Sequence, residues 1–522
     1  MQPIETAMNH QMQPTESIIN RTESTDEKIY DSYTGIMRRA ADLSHAAAVL
    51  EWDQEIYMPP KSAGHRAGQL ATLASMAHEL VTNEDFGKLL LTLENIDELD
   101  YNEETNIDRS QEDYEKNKKL SAGFVEELSH QTSECFNAWI AARKQNDFQV
   151  FAPSLTKMIA LKRRQADLYG FAAHPYDALL DDYEKGATVA MLDPLFAGIK
   201  DQLPPLIAKI SGSPQVSKDC FHQHFPRQQQ WDFGIEVLKA MGFDFEAGRQ
   251  DYSEHPFTTS FSATDVRLTT RVDENNFASM LWSCIHEGGH GLYEQGLPEE
   301  QYGLPLGSPA SLGIHESQSR FWENCIGRGL DFWTGFYPTL QQYFPQQLAN
   351  ISLDTFYKAA NRVEPSLIRT EADEVTYHFH VLIRYEIEKA LIEGTLNAEN
   401  IPARWNELYF KYLGVTPKDD YTGVLQDVHW SHGSFGYFPT YTLGSFYAAQ
   451  FYARALQDIP RLKEQVTKGN FKALLLWLRE NVHRHGRRYT SEELCERITG
   501  ERLNTSFFMR YVEEKYESVY GR

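Results

Sequence analysis

The sequence predicts a mostly α-helical protein with a small β-sheet beside one central helix. Three observations predict it. Apolar residues recur at spacings of three and four along most of the chain, the signature of helix faces turned to a core. Strand-like alternation is confined to residues 257–272. That stretch leads into an apolar helical segment, residues 276–293, which carries His286-Glu287-Gly288-Gly289-His290.

Taken in chain order, residues 29–93 read as helix. Ile36, Ala40, Leu43, Ala47 and Leu50 fall on one face. Pro59-Pro60 ends that helix and a second begins near Ser62. Residues 95–119 are highly charged and read as a helical turn or a loop. Residues 120–169 read as one or two long helices, with Pro153 at a helix start. A further helix covers 193–211, interrupted at Pro204-Pro205. Residues 257–262 and 265–272 alternate and are rich in β-formers. A strand there, beside the motif helix, can pair with an extended peptide backbone. After Ser311 the chain is again mostly helical. No internal repeat and no Ser/Gly-rich linker divides it, so residues 29–522 read as one helical domain. Residues 1–28 are polar, lack an apolar segment and read as a disordered N-terminal extension, not a signal peptide.

Composition narrows the function. In 522 residues, 41% are hydrophobic and 12% aromatic, enough for a large packed interior. The formal charge of −24 argues against nucleic acid and anionic membrane surfaces as partners. It does not argue against a peptide, which needs only a local basic pocket. No run of about 18 apolar residues occurs, so no membrane span is expected. Five scattered cysteines without a CxxC pair read as a reduced, cytoplasmic protein. Cys284 falls on the helix face opposite His286 and reads as core.

His286 and His290 stand four residues apart. On a helix both imidazoles reach one metal ion. Glu287 then stands beside the open side of the metal, where it can take a proton from bound water. This is the layout of a zinc hydrolase, most often a peptidase. Phe277, Met280 and Leu281 before the motif, and Leu292 and Tyr293 after it, make the helix a buried one. Buried histidines and a buried glutamate need partners, which a metal supplies. Gly288 and Gly289 each cost the helix about 1 kcal/mol relative to Ala, so something is expected to pack closely there.

A third protein ligand is required. The metzincin pattern needs Gly and His where this chain has Tyr293 and Gly296, so that subclass is excluded. A glutamate from a second helix is the alternative. Glu294, Glu299, Glu300, Glu316 and Glu323 are in range. Glu316 is favoured, because it follows a Gly/Pro/Ser loop at a helix start and has Arg320 four residues on to fix its carboxylate.

Further motifs extend this pattern. They are His255-Pro256-Phe257, then Asp265, Arg267 and Thr269, then His286 to His290 followed by Tyr293 to Gly296. His315 to Gln318, Ile368 to Asp373, and Gly423, Gln426, Asp427, His429 and Trp430 continue the order. Near the start stand Trp52-Asp53 and Met58-Pro59, with Ile56 where a threonine is usual. In these ordered motifs the chain resembles the thermostable metallocarboxypeptidases of the carboxypeptidase Taq family, over about residues 30–520. The resemblance implies a large helical gluzincin fold with a deep groove, saddle-like in shape and homodimeric. It implies His286, His290 and Glu316 as metal ligands, Glu287 as general base, and zinc or cobalt as the metal. It implies release of single C-terminal residues with broad tolerance, from peptides with a free C-terminus, with poor cleavage beside proline.

Such chemistry needs oxyanion donors and a cation for the terminal carboxylate. His429, Tyr437 and Tyr441, on a glycine-rich stretch, are candidate donors. An arginine fork matches a carboxylate; Arg369 is the first choice and Arg267 the second. The competing role for either is an ion pair with Asp373, Asp265 or Asp427. His255 and Asp265 read as orienting neighbours, and His378 and His380 as helix packing. The rival functions are an oligopeptidase or dipeptidyl carboxypeptidase with the same metal chemistry, and a non-catalytic helical binding protein.

Overall fold

The first apolar stripe builds one long helix, Thr25–Ile56, which ends just before Pro59. A second helix, Ala63–Thr82, packs back along it. The structure is a computed structural model and describes residues 25–521. The expected N-terminal extension thus lies largely outside the described residues, and its last four residues already belong to the first helix.

The charged segment is a complete helix, Tyr101–Asn117, where the sequence predicts a turn or loop. Asp100 accepts from the N–H groups of Asn102 and Glu103, and Glu103 reaches back to the Asp100 N–H. This reciprocal cap satisfies the first turn, and Ile107 is buried, so the charges simply mark the solvent face. Residues 120–169 divide into Ala122–Gln145 and Ala152–Tyr169, with Pro153 in the first turn of the second. The helix Val189–Ser211 runs through Pro204-Pro205 without the predicted interruption. Phe196, Ile199, Leu203 and Ile210 are buried along it, and tertiary packing of that stripe outweighs the lost backbone bonds.

Three strands form the sheet: β1 (Gly248–Tyr252), β2 (Thr258–Ser262) and β3 (Asp265–Thr270). Their order is β1-β3-β2, with β1 parallel and β2 antiparallel to β3. β2 and β3 are the predicted strands. β1 carried no apolar alternation, because its buried residues are Gln250 and Asp251. β2 and β3 both pack on the motif helix, Phe277–Glu294.

A second helix, Leu312–Arg320, lies against the motif helix and continues as a π-helical turn, Phe321–Gly327. Its other side meets the helix Pro439–Asp458. Both approaches depend on glycine. A Cβ on Gly289 would stand 2.7 Å from Gln318 O and Ser319 Cα, and one on Gly288 would stand 2.5 Å from Leu238 Cδ2. A Cβ on Gly444 would stand 2.5 Å from Glu316 Cγ and 3.1 Å from Glu316 C. The close packing expected at the motif glycines is therefore present.

Gly289→Ala tests this arrangement. The added methyl meets backbone, which cannot rotate away. Stability should fall by about 1–3 kcal/mol in denaturant unfolding, with less metal retained after dialysis. Wild-type values for both would mean that the two helices have room to spare.

Candidate active site and metal centre

The i, i+4 spacing places the His286 and His290 rings 4.9 Å apart and nearly perpendicular. Glu316 enters from the neighbouring helix. Its Oε2 lies 3.6 Å from His286 Nε2 and 3.4 Å from His290 Nε2. Ligand bonds of about 2.0–2.1 Å give tetrahedral edges of about 3.3 Å, so this trio fits a single metal ion. It is the one such group of His, Cys, Asp or Glu found among the described residues.

The surroundings orient each side chain of the trio. Arg320 Nε donates to Glu316 Oε1 at 2.7 Å, while Oε2 accepts from Ser319 Oγ at 3.0 Å and faces the histidines. Burial works against an ionised Glu316, but Arg320 and then His286 hold its carboxyl well below the usual range. Glu323, one of the sequence alternatives for the third ligand, instead stands behind His286, with Oε2 2.9 Å from Nδ1. That bond turns Nε2 towards the centre. Arg328 donates to Glu323 Oε1 at 2.9 and 3.2 Å. Burial, followed by the charge of His315, pushes His290 down to about 3, which keeps it in the neutral form that binds metals. His315 stacks on His290 at 4.4 Å and is held by Glu294, another sequence alternative, at 2.8 Å.

Glu287 projects towards the sheet, where Thr258 Oγ1 on β2 donates to its Oε2 at 2.7 Å. Burial raises its carboxyl above the ordinary value, which favours proton uptake.

The predicted donor residues are gathered together. His429 Nε2 lies 3.1 Å from Tyr441 Oη. The Tyr437 ring packs against His429 and Tyr183, each at 5.2 Å. Burial, then the nearby Glu316 carboxylate, raises the Tyr437 phenol, so it remains a donor. Burial and Arg369 push His429 down to about 3.

Each candidate arginine meets one of the anticipated aspartates. Arg369 Nε and Nη2 donate to Asp427 Oδ1 at 3.0 and 2.8 Å. Arg384 Nε takes Asp427 Oδ2 at 2.7 Å. Two guanidinium groups thus share one carboxylate, and the cluster keeps a net positive charge. Arg369 lies over the Tyr441 ring at 4.8 Å and donates Nη1 to Tyr377 Oη at 3.1 Å. The Tyr377 ring in turn faces Arg320 at 4.6 Å. Arg267 is held by both oxygens of Asp265, each at 2.9 Å, and lies between Trp52 and Phe261. Asp373 pairs with neither arginine and accepts from the Val375 and Thr376 N–H groups. His378 and His380 are buried, beside Thr442 and Tyr409. Sequence reasoning missed Thr258, Tyr377 and Arg384. Only Arg384 left a signal, as a charge inside a run of apolar helix that must find an anion.

A His-His-Glu trio at metal-binding spacing, with a buried glutamate beside it, has the layout of a metallopeptidase. The chain belongs to the carboxypeptidase Taq (M32) metallopeptidase family, whose sequence profile matches residues 32–516. It is a metallocarboxypeptidase. Thermostable carboxypeptidase 1 of Thermus thermophilus is 41% identical over 511 residues, 95% of this chain and 100% of that protein. The solved structure of CHT is 55% identical, with a TM-score of 0.92 over 94% of this chain and 99% of that one. The M32 carboxypeptidase of Deinococcus radiodurans R1 is 37% identical, with a TM-score of 0.93 over 95% of this chain and 100% of that one. No helix among the described residues is long and apolar enough to cross a membrane.

Glu323→Gln should weaken metal binding by about 10–100-fold, because the amide holds the His286 Nδ1–H less strongly than the carboxylate does. Competition with a calibrated chelator measures it. Wild-type affinity would remove Glu323 from the support of the centre.

Proposed function

We propose that the enzyme uses zinc to release single C-terminal residues, of broad side-chain type, from peptides with a free C-terminus; cobalt is the alternative metal. Two imidazoles and one carboxylate at tetrahedral spacing suit zinc. The observation that carries the exopeptidase reading is the positive Arg369–Asp427–Arg384 cluster, joined to the metal trio through Tyr377 and Arg320.

When bound, the ion lowers the pKa of its water towards about 7 and polarises the scissile carbonyl. Glu287 takes the proton of the attacking water at its carboxylate and passes it to the leaving nitrogen. Its buried position and raised pKa support both halves of that transfer. His429, Tyr437 and Tyr441 donate to the oxygen that gains charge. Arg369 holds the substrate carboxylate. Arg267 is the weaker choice, because Asp265 alone neutralises it, whereas Arg369 shares Asp427 with Arg384 and that cluster keeps a spare positive charge. The family resemblance supports a homodimer. Five free, buried cysteines fit a reduced cytoplasmic protein, and residues 29–522 are read as one helical domain.

Glu287→Gln should lower turnover by about 10²–10⁴-fold while metal content stays at the wild-type level. Normal turnover would remove Glu287 as the base. A peptide with an amidated C-terminus should resist cleavage that its free-acid twin undergoes. Equal rates for the two would eliminate the carboxylate clamp.

A further inference from the structure

Glu388 is fully buried on the helix Tyr377–Glu393. Among the described residues no arginine or lysine bonds to it directly. Its carboxylate accepts instead from three neutral donors. Trp430 Nε1 donates to Oε1 at 2.8 Å, the Gly436 N–H donates to Oε2 at 2.9 Å, and the Tyr176 hydroxyl also donates to Oε2. Trp430 directly follows His429, and Gly436 directly precedes Tyr437. One buried carboxylate therefore ties down both ends of the loop between the two proposed donors.

We propose that Glu388 is a positioning residue for the peptidase reaction, fixing both ends of the 430–436 loop and so setting the reach of His429 and Tyr437. This rests on the reading of those two side chains as functional donors.

The local packing fits that role. Lys162, itself buried, lies under the loop: a Cβ on Gly433 would stand 3.7 Å from its Cδ. Its charge favours the ionised form of Glu388, as do the three donors, whereas burial pushes Glu388 up to about 7. A buried carboxylate is costly to keep unless its bonds are needed. All but one of the bonds here go to residues adjoining the donors. The same helix carries Tyr377 and Arg384, so a single rigid element anchors both the arginine cluster and the donor loop.

Glu388→Gln has one acceptor oxygen and one amide donor in place of two acceptors. It cannot accept from both the Trp430 indole and the Gly436 N–H. Trp430→Phe removes only the indole donor and retains an aromatic ring. At pH 8 and well below the melting temperature, each variant should lower kcat by about 10–100-fold, the scale of a misplaced reacting group. KM should stay within about twofold, and metal content should be unchanged. The double variant should be little worse than the worse single one. A merely structural role would lower the melting temperature and leave kcat and KM of the folded enzyme intact. His429→Ala and Tyr437→Phe separate the two layers of argument. Normal kcat in both would overturn the donor reading and this inference with it. Low kcat in both, with normal kcat in folded Trp430→Phe and Glu388→Gln, would overturn the positioning role alone. If Glu388→Gln does not fold, Trp430→Phe decides by the same measurements.

Discussion

The site depends on how closely three helices approach one another. Leu312–Arg320 is held between the motif helix and Pro439–Asp458, and both contacts are made over glycines. Glu316 is short of reach for a side chain that must meet two imidazoles. Packing at ordinary helix distances of about 8–10 Å, with a side chain at Gly289, would withdraw its carboxylate from His286 and His290. The helical cost of the motif glycines is thus offset by the proximity they allow. The same segment carries its charged residues in register: Glu316, Arg320 and Glu323 recur at i, i+4 and i+7 and form a stripe beside the histidines.

That stripe places several charges in a buried setting, which is tolerable only when each charge is matched. Glu316 has Arg320, and Glu323 has Arg328 and His286. From Arg320 the contacts pass through the Tyr377 ring to Arg369, and on to Asp427 and Arg384. The sign of charge changes along this path. It is negative at the His-His-Glu trio and positive at the far end, where we propose that a substrate carboxylate is held. Buried ion pairs contribute little net stability, and their value here lies in holding orientation.

Much of this was legible in the sequence. The spacing of His286 and His290 is a local property of the helix, so their placement on one face of a largely buried helix could be read directly. Pro59, Pro153 and the strands at 258–270 act through backbone geometry and were read correctly for the same reason. The exceptions share a cause. β1 buries polar residues, the helix Tyr101–Asn117 is stabilised by its cap, and Val189–Ser211 passes through Pro204-Pro205 because its apolar face is buried. In each case tertiary packing or capping overrode composition. Glu323 was recognised as a possible ligand, but whether a carboxylate meets the Nε2 or the Nδ1 side of a histidine depends on helix placement, which spacing alone does not give. The contact from Thr258 to Glu287 joins residues of different elements and left no pattern.

The helix Tyr377–Glu393 shows how local and long-range constraints combine. It is buried on nearly every side, yet it carries Tyr377, His378, His380, Arg384 and Glu388. A helix so placed should be apolar all round. Tyr377, Arg384 and Glu388 follow at spacings of seven and four, which puts them on one face. From that face they reach the Arg369–Asp427 pair at one end and the 430–436 loop at the other. A loop rich in glycine holds its shape poorly unless something rigid fixes its ends, and functional groups are held more exactingly by helices than by loops. The polar face of this helix supplies that rigidity. Its departure from an apolar pattern is where the fold gives up core hydrophobicity to fix the relative positions of the proposed carboxylate clamp and the proposed oxyanion donors.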